Sequence, residues 1–87
     1  MNFTNEILQS AHNHCFQNRD EILKSEACAC FYCLSILKPE EIQAWVNDHN
    51  GKTALCPNCG IDSLIGSHSG FPIEDIEFLK AMNDYFF

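Results

Sequence analysis

Cys30-Phe31-Tyr32-Cys33 and Cys56-Pro57-Asn58-Cys59-Gly60 decide how the rest of the chain is read. Twenty-two residues separate the inner cysteines, Cys33 and Cys56. Two intervening residues let both sulfurs of a pair reach one ion from a single tight turn, and four soft, anionic thiolates at tetrahedral geometry suit Zn²⁺. Gly60 follows the second pair, where a turn of this kind calls for positive φ, and Pro57 sets φ inside it. The paired spacing predicts one structural zinc ion per chain, held by Cys30, Cys33, Cys56 and Cys59.

Two further cysteines flank the pattern. Cys28 makes the run Cys28-Ala29-Cys30-x-x-Cys33 and is read as a small buried residue or a spare thiol near the ion. Cys15 falls at a helical core position, where a free thiol behaves as a small hydrophobe. Six cysteines with no secretion signal favour metal over disulfides.

Outward from this centre, the chain is 87 residues long, which reads as one domain with a modest core. Small domains of this kind often need a metal or disulfide staple. The net charge is −7, and the five basic residues are scattered. With no basic stripe to neutralise phosphates, the composition argues against unspecific nucleic-acid binding and suits a soluble protein or one with a basic partner. No apolar run has the length of a membrane helix, and the expected location is cytoplasmic.

The local signals predict helices on both sides of the zinc module. In residues 1–27, Thr4 is a candidate N-cap, and Phe3, Ile7, Leu8, Ala11 and Cys15 recur at helical spacing. Asn18 with Glu21 marks a second start, so helices are expected over about Asn5–Phe16 and Arg19–Glu26, or one kinked helix. Residues 28–66 form the zinc module. Within it, Leu34–Leu37 reads as extended. Lys38-Pro39-Glu40-Glu41 reads as the start of a central helix carrying Ile42, Trp45 and Val46 on one face, with Trp45 a packing residue. That helix is expected to stop in the turn from Asn47 to Gly51. Lys52–Leu55 and Gly60–Gly66 are expected to pair as a hairpin. Residues 67–87 comprise a flexible loop and a last helix beginning at Glu74-Asp75, whose apolar set is too wide for a single stripe.

Several groups invite a chemical reading. His12-Asn13-His14 spells the name of a nuclease family whose residues are dispersed, so the tripeptide carries no information; His14 with Cys15 and Asn18 is a polar group near a helix end. Asp48-His49 lies between the two pairs, as a dyad does in zinc-stabilised HNH nucleases, but Cys56 follows too soon for that family's hairpin and helix. Asp62-Ser63 suits a side-chain-to-backbone turn beside the ion. His68 is a ligand only if one cysteine is not. No catalytic residue is assigned.

The run Cys30–Cys33, Pro39–Ile42 with Trp45, Thr53–Gly66, Ser69–Ile73 and the terminal aromatic pair resembles a group of small uncharacterised bacterial cytoplasmic proteins. The resemblance spans about residues 18–87 and implies a four-cysteine zinc site, without an activity. More loosely the two turns are similar to zinc-ribbon and treble-clef modules, although Gly60 and a strand-like run follow Cys59 where a treble clef begins a helix. The expected fold is small α+β: two facing zinc knuckles with a short β-hairpin, surrounded by N-terminal, central and C-terminal helices. Three functions fit: a structural-zinc module that binds a protein partner, a metal-assisted hydrolase or nuclease of HNH-like type, and an acidic inhibitor or immunity-type protein.

Overall fold

Thr4 accepts a hydrogen bond from Ile7 N at 3.2 Å and so caps the first helix, α1 (Asn5–His12). A 3-10 turn, Asn13–Cys15, continues it, and Gln17, at φ 49, breaks the direction before α2 (Arg19–Leu23). The computed structural model describes residues 3–49 and 51–87 of the chain. Among the described residues, three α-helices and two small antiparallel sheets make up this α+β fold.

The main sheet has strand order β2 (Ile36–Leu37), β1 (Cys28–Cys30), β5 (Leu64–Gly66). Ala29 lies opposite Ile36 on one side and Ile65 on the other. Strand side chains alternate between faces, and this sheet divides the interior accordingly. Ala29 and Ile65 enter a cluster with Leu8, Phe31, Phe78 and Met82, on the side of α1 and α3 (Ile76–Phe86). Cys28, Cys30 and Leu64 enter a second cluster with Ile22, Leu37, Ala54 and Cys56. The helical side buries several aromatic and long aliphatic groups. Among the described residues, the cysteine side has Ile22, Leu37 and Leu64 as its large buried apolar residues, each contributing about 1.5–3 kcal/mol.

The central helix expected from Lys38 onward is absent. Pro39 and the acids do start a turn, and Lys38 N donates to Glu41 Oε2 at 2.7 Å, but the 3-10 turn ends at Glu41. Ile42 is already extended, with ψ 126, and β3 (Trp45–Asp48) pairs with β4 (Gly51–Ala54). Asp48 lies opposite Gly51 and Trp45 opposite Ala54, giving a tight hairpin. Trp45 and Val46 are strong strand formers, and Asn50-Gly51 is a hairpin signal; three apolar residues at helical spacing were too few to outweigh them. Trp45 still packs, against the second cluster, with the Arg19 guanidinium 5.0 Å from its ring centroid.

The expected hairpin between Lys52–Leu55 and Gly60–Gly66 is also corrected. β4 takes β3 as partner, and β5 returns to β1. The loop after β5 is an ordered 3-10 turn, Ser67–Ser69, in which Ser67 N donates to Ala27 O at 2.8 Å and His68 N to Ser25 Oγ at 2.9 Å.

The last helix begins at the Asp75 cap, which accepts from Glu77 N at 2.9 Å. It buries Phe78, Leu79 and Met82 and leaves Ile76 and Tyr85 exposed. Its far end reaches the first cysteine turn, where Asn83 Nδ2 donates to Phe31 O at 3.2 Å and Tyr32 O at 2.9 Å.

Candidate metal centre

β1 delivers Cys30 to the turn Phe31-Tyr32-Cys33, and the end of β4 delivers Cys56 to the turn Pro57-Asn58-Cys59. The two turns repeat one hydrogen-bond pattern. Cys30 N donates to Ser35 O at 2.9 Å, and Cys56 N donates to Ile61 O at 3.0 Å. Leu34 N donates to Cys30 O, and Gly60 N to Cys56 O, each at 2.8 Å. The residue after each pair has positive φ: 65 for Leu34 and 79 for Gly60. The turn, and not the glycine, is what the two half-sites share; Leu34 bears a side chain where Gly60 has none, and packs it against the helical core.

The four sulfurs of Cys30, Cys33, Cys56 and Cys59 all lie within 4.8 Å of one another. Cys30 Sγ stands 3.6 Å from Cys59 Sγ, and Cys33 Sγ stands 3.7 Å from Cys56 Sγ. A tetrahedron with Zn–S bonds of about 2.3 Å has its sulfurs about 3.8 Å apart. These contacts are therefore close to the spacing of ligands around one ion and far from a covalent S–S bond of about 2.05 Å. None of the six cysteines is joined in a disulfide.

Hydrogen-bond donors surround the sulfurs. Tyr32 N and Cys33 N each donate to Cys30 Sγ at 3.4 Å, and Ser63 Oγ lies 2.9 Å from the same sulfur. Cys33 Sγ is 3.2 Å from Ser35 Oγ, which accepts from Asn58 Nδ2 at 2.8 Å, so the second turn braces the first. Burial pushes the Cys30 thiol up, against the pull of these donors. Burial also drives Cys59 to about 12, helped by the neighbouring thiols. Cys33 goes the other way, to about 7, because contacts with Ser35 and the adjacent sulfurs outweigh its burial. Four thiolates this close repel one another, and a cation at their centre is the compensation that lets them ionise together.

Cys28 is fully buried in β1, with its sulfur 3.6 Å from Leu37 O, and stands outside the four-sulfur group. Cys15 sits in the helical core. Burial first, then the charge of Asp62, pushes its thiol up to about 11.

The other candidates disperse. His14 Nδ1 pairs with Glu21 Oε1 at 2.7 Å, and its ring meets Phe71 edge-on. His49 occupies the β3–β4 turn with φ 39; the side chain of Asp48 and all of Asn50 lie outside the described residues. Asp62 lines a cavity of about 320 Å³ with His12, Asn13, Cys15 and Phe16. His68 is exposed in its 3-10 turn and lies outside the four-cysteine group. Among the described residues, the four cysteines are the one group of three or more His, Cys, Asp or Glu gathered at ligand spacing.

Ser63, expected in a turn beside the ion, instead meets the Cys30 sulfur through its Oγ, and Ser35, which the sequence did not single out, contacts Cys33 Sγ; serine beside a cysteine pair is a weak signal. Asn18, read as a cap, makes no capping bond. Its buried side chain instead donates to His14 O at 3.0 Å and Leu64 O at 2.8 Å and accepts from Ala54 N at 3.1 Å. It ties the helical segment to both sheets.

No protein-family model matches the chain, and neither a curated protein nor a solved structure matches it. Of what the family resemblance implied, the clustering of the four cysteines is present in the structure.

Proposed function

We propose that Cys30, Cys33, Cys56 and Cys59 hold one Zn²⁺ that staples a small protein-binding module. The observation that carries the zinc reading is the convergence of four sulfurs within 4.8 Å from two turns with matching hydrogen bonds. An all-thiolate tetrahedral set suits zinc. It also fills the coordination shell, leaving no exchangeable position of the kind a catalytic zinc keeps for water or substrate.

A structural role follows from the asymmetry of the core. The cysteine side of the sheet buries three large apolar residues, and the ion supplies the cross-link that hydrophobic burial there does not. Asn83 joins the first turn to α3, so order at the metal is transmitted to the C-terminal helix. Tyr32 packs edge-on against Phe87, with ring centroids 4.7 Å apart, and both remain exposed, at 45% and 59%. Exposed aromatic groups on an ordered turn support an interaction surface, and the −7 charge favours a partner of basic character.

Cobalt substitution tests this assignment. Co²⁺ bound at one equivalent should show the intense visible bands and sulfur-to-metal charge transfer of a tetrahedral thiolate site. Weak octahedral bands, or uptake that survives replacement of both Cys33 and Cys59 by serine, would contradict it.

A further inference from the structure

We infer that this centre is also a peroxide-sensitive thiol site, in which oxidation joins Cys33 to Cys56 and Cys30 to Cys59 across the two turns and expels the ion. The inference rests on the zinc reading above and concerns how that site is opened.

The geometry distinguishes inner from outer sulfurs. The first cysteine of each turn, Cys30 or Cys56, is buried; the second, Cys33 or Cys59, is nearer solvent. Each outer sulfur contacts the inner sulfur of the opposite turn, at 3.7 Å for Cys33–Cys56 and 3.6 Å for Cys59–Cys30. Cys33 is the most exposed of the six cysteines and is the first that a small oxidant meets. Cys30 is the poorer nucleophile among the inner sulfurs, since Ser63 Oγ and two backbone N–H groups draw on its electrons. Cys56 is therefore the partner that resolves an oxidised Cys33.

The chemistry balances with hydrogen peroxide as the oxidant. The Cys33 thiolate attacks one peroxide oxygen, the O–O bond breaks, and Cys33 sulfenic acid and hydroxide form. The Cys56 thiolate then attacks the sulfenic sulfur, forming the disulfide and releasing a second hydroxide. Two electrons pass from the two sulfurs to peroxide, and two protons from solvent convert the hydroxides to water. Zn²⁺ keeps its oxidation state and leaves because two of its four ligands are gone. A second peroxide does the same to Cys59 and Cys30. Both disulfides join one turn to the other, as the ion does, so the cross-link survives oxidation. Disulfides within a Cys-x-x-Cys pair would sever it.

The test starts from protein whose zinc has been measured. Hydrogen peroxide is added without reductant, zinc release is followed with a chromogenic chelator, free thiols are blocked, and the chain is cleaved after Lys52 to separate the turns. The expected result is release of zinc in step with a peptide joined through Cys33–Cys56, followed by Cys30–Cys59. Cys33→Ser should slow release roughly tenfold, and Cys28→Ala should leave the rate and the disulfide map unchanged. Pairing within Cys30–Cys33 or Cys56–Cys59, or participation of Cys28, overturns the inference. Where Cys33→Ser takes up no zinc, the map of the unsubstituted protein decides. Absence of zinc at the outset refutes the metal assignment instead, so the two failures are distinct.

Discussion

Replacing Gly60 isolates the cost of the second cysteine turn. Gly60 has φ 79, and a Cβ built there meets nothing within 4 Å. Sterics with the rest of the fold therefore contribute nothing, and only the backbone conformation is at stake. A left-handed conformation costs an L-residue about 1–2 kcal/mol. Gly→Ala also narrows the unfolded ensemble, which returns about 0.4–1 kcal/mol. The net expectation for Gly60→Ala is a loss of about 1 kcal/mol, or roughly 4–8 °C in melting temperature for a domain of this size. Gly60→Asn should lose less than Gly60→Ala, because asparagine tolerates this region better. The assay is thermal and urea unfolding of both variants at fixed free zinc, with zinc content measured alongside. Zinc content should stay unchanged. Equal losses for alanine and asparagine, or a loss above about 3 kcal/mol, would refute a purely conformational cost. Leu34, at φ 65 in the other turn, shows that the turn accommodates a side chain when core packing offsets the strain.

Asn18→Ala should lower stability by about 2–4 kcal/mol, since it leaves Ala54 N and Leu64 O without their buried partner; a loss below 1 kcal/mol in urea unfolding would show that water replaces the amide. Cys28→Ser should keep zinc near one per chain, because the Cys28 sulfur faces Leu37 O and stands apart from the four-sulfur group; loss of zinc by elemental analysis would put Cys28 among the ligands. Cys15 has its thiol raised from 9.0 to about 11, chiefly by burial, so the folded state prefers the neutral form. The stability this contributes is present below pH 9 and is lost as pH rises through about 11. The advantage of the unsubstituted chain over Cys15→Ala should shrink across that window in alkaline unfolding curves, and parallel curves would contradict the assignment.

The parts of this molecule legible in its sequence are those set by short-range chemistry. The Cys-x-x-Cys spacing, the need for positive φ at Gly60, the Thr4 cap and the start of the last helix each depend on a few neighbouring residues. The architecture between the turns depends on distant ones. Ile42, Trp45 and Val46 fit one helical face, yet the same stretch satisfies its backbone through Thr53 and Ala54. β5 was read as returning to the strand before it in sequence, but Leu64 and Ile65 pair with Cys30 and Ala29, more than thirty residues earlier. The alternation of Cys28, Ala29 and Cys30 between two cores was hidden behind the metal motif that two of these cysteines suggest. The Ser63 contact with Cys30 Sγ spans thirty-three positions and appears only when the turns face each other, whereas the Ser35 contact with Cys33 Sγ is made within the first turn.

The central claim is that a zinc ion at the four cysteines holds this fold together. It is tested most directly by near-UV circular dichroism of the reduced protein while a strong chelator removes the ion and an excess of Zn²⁺ returns it. Trp45 packs on the cysteine-side cluster, and Tyr32 lies on the first turn against Phe87, so the aromatic signal reports the region that the ion organises. The account predicts cooperative loss of that signal with zinc removal, and its recovery at one equivalent of Zn²⁺. A zinc-free protein that keeps its native near-UV spectrum under reducing conditions would contradict it.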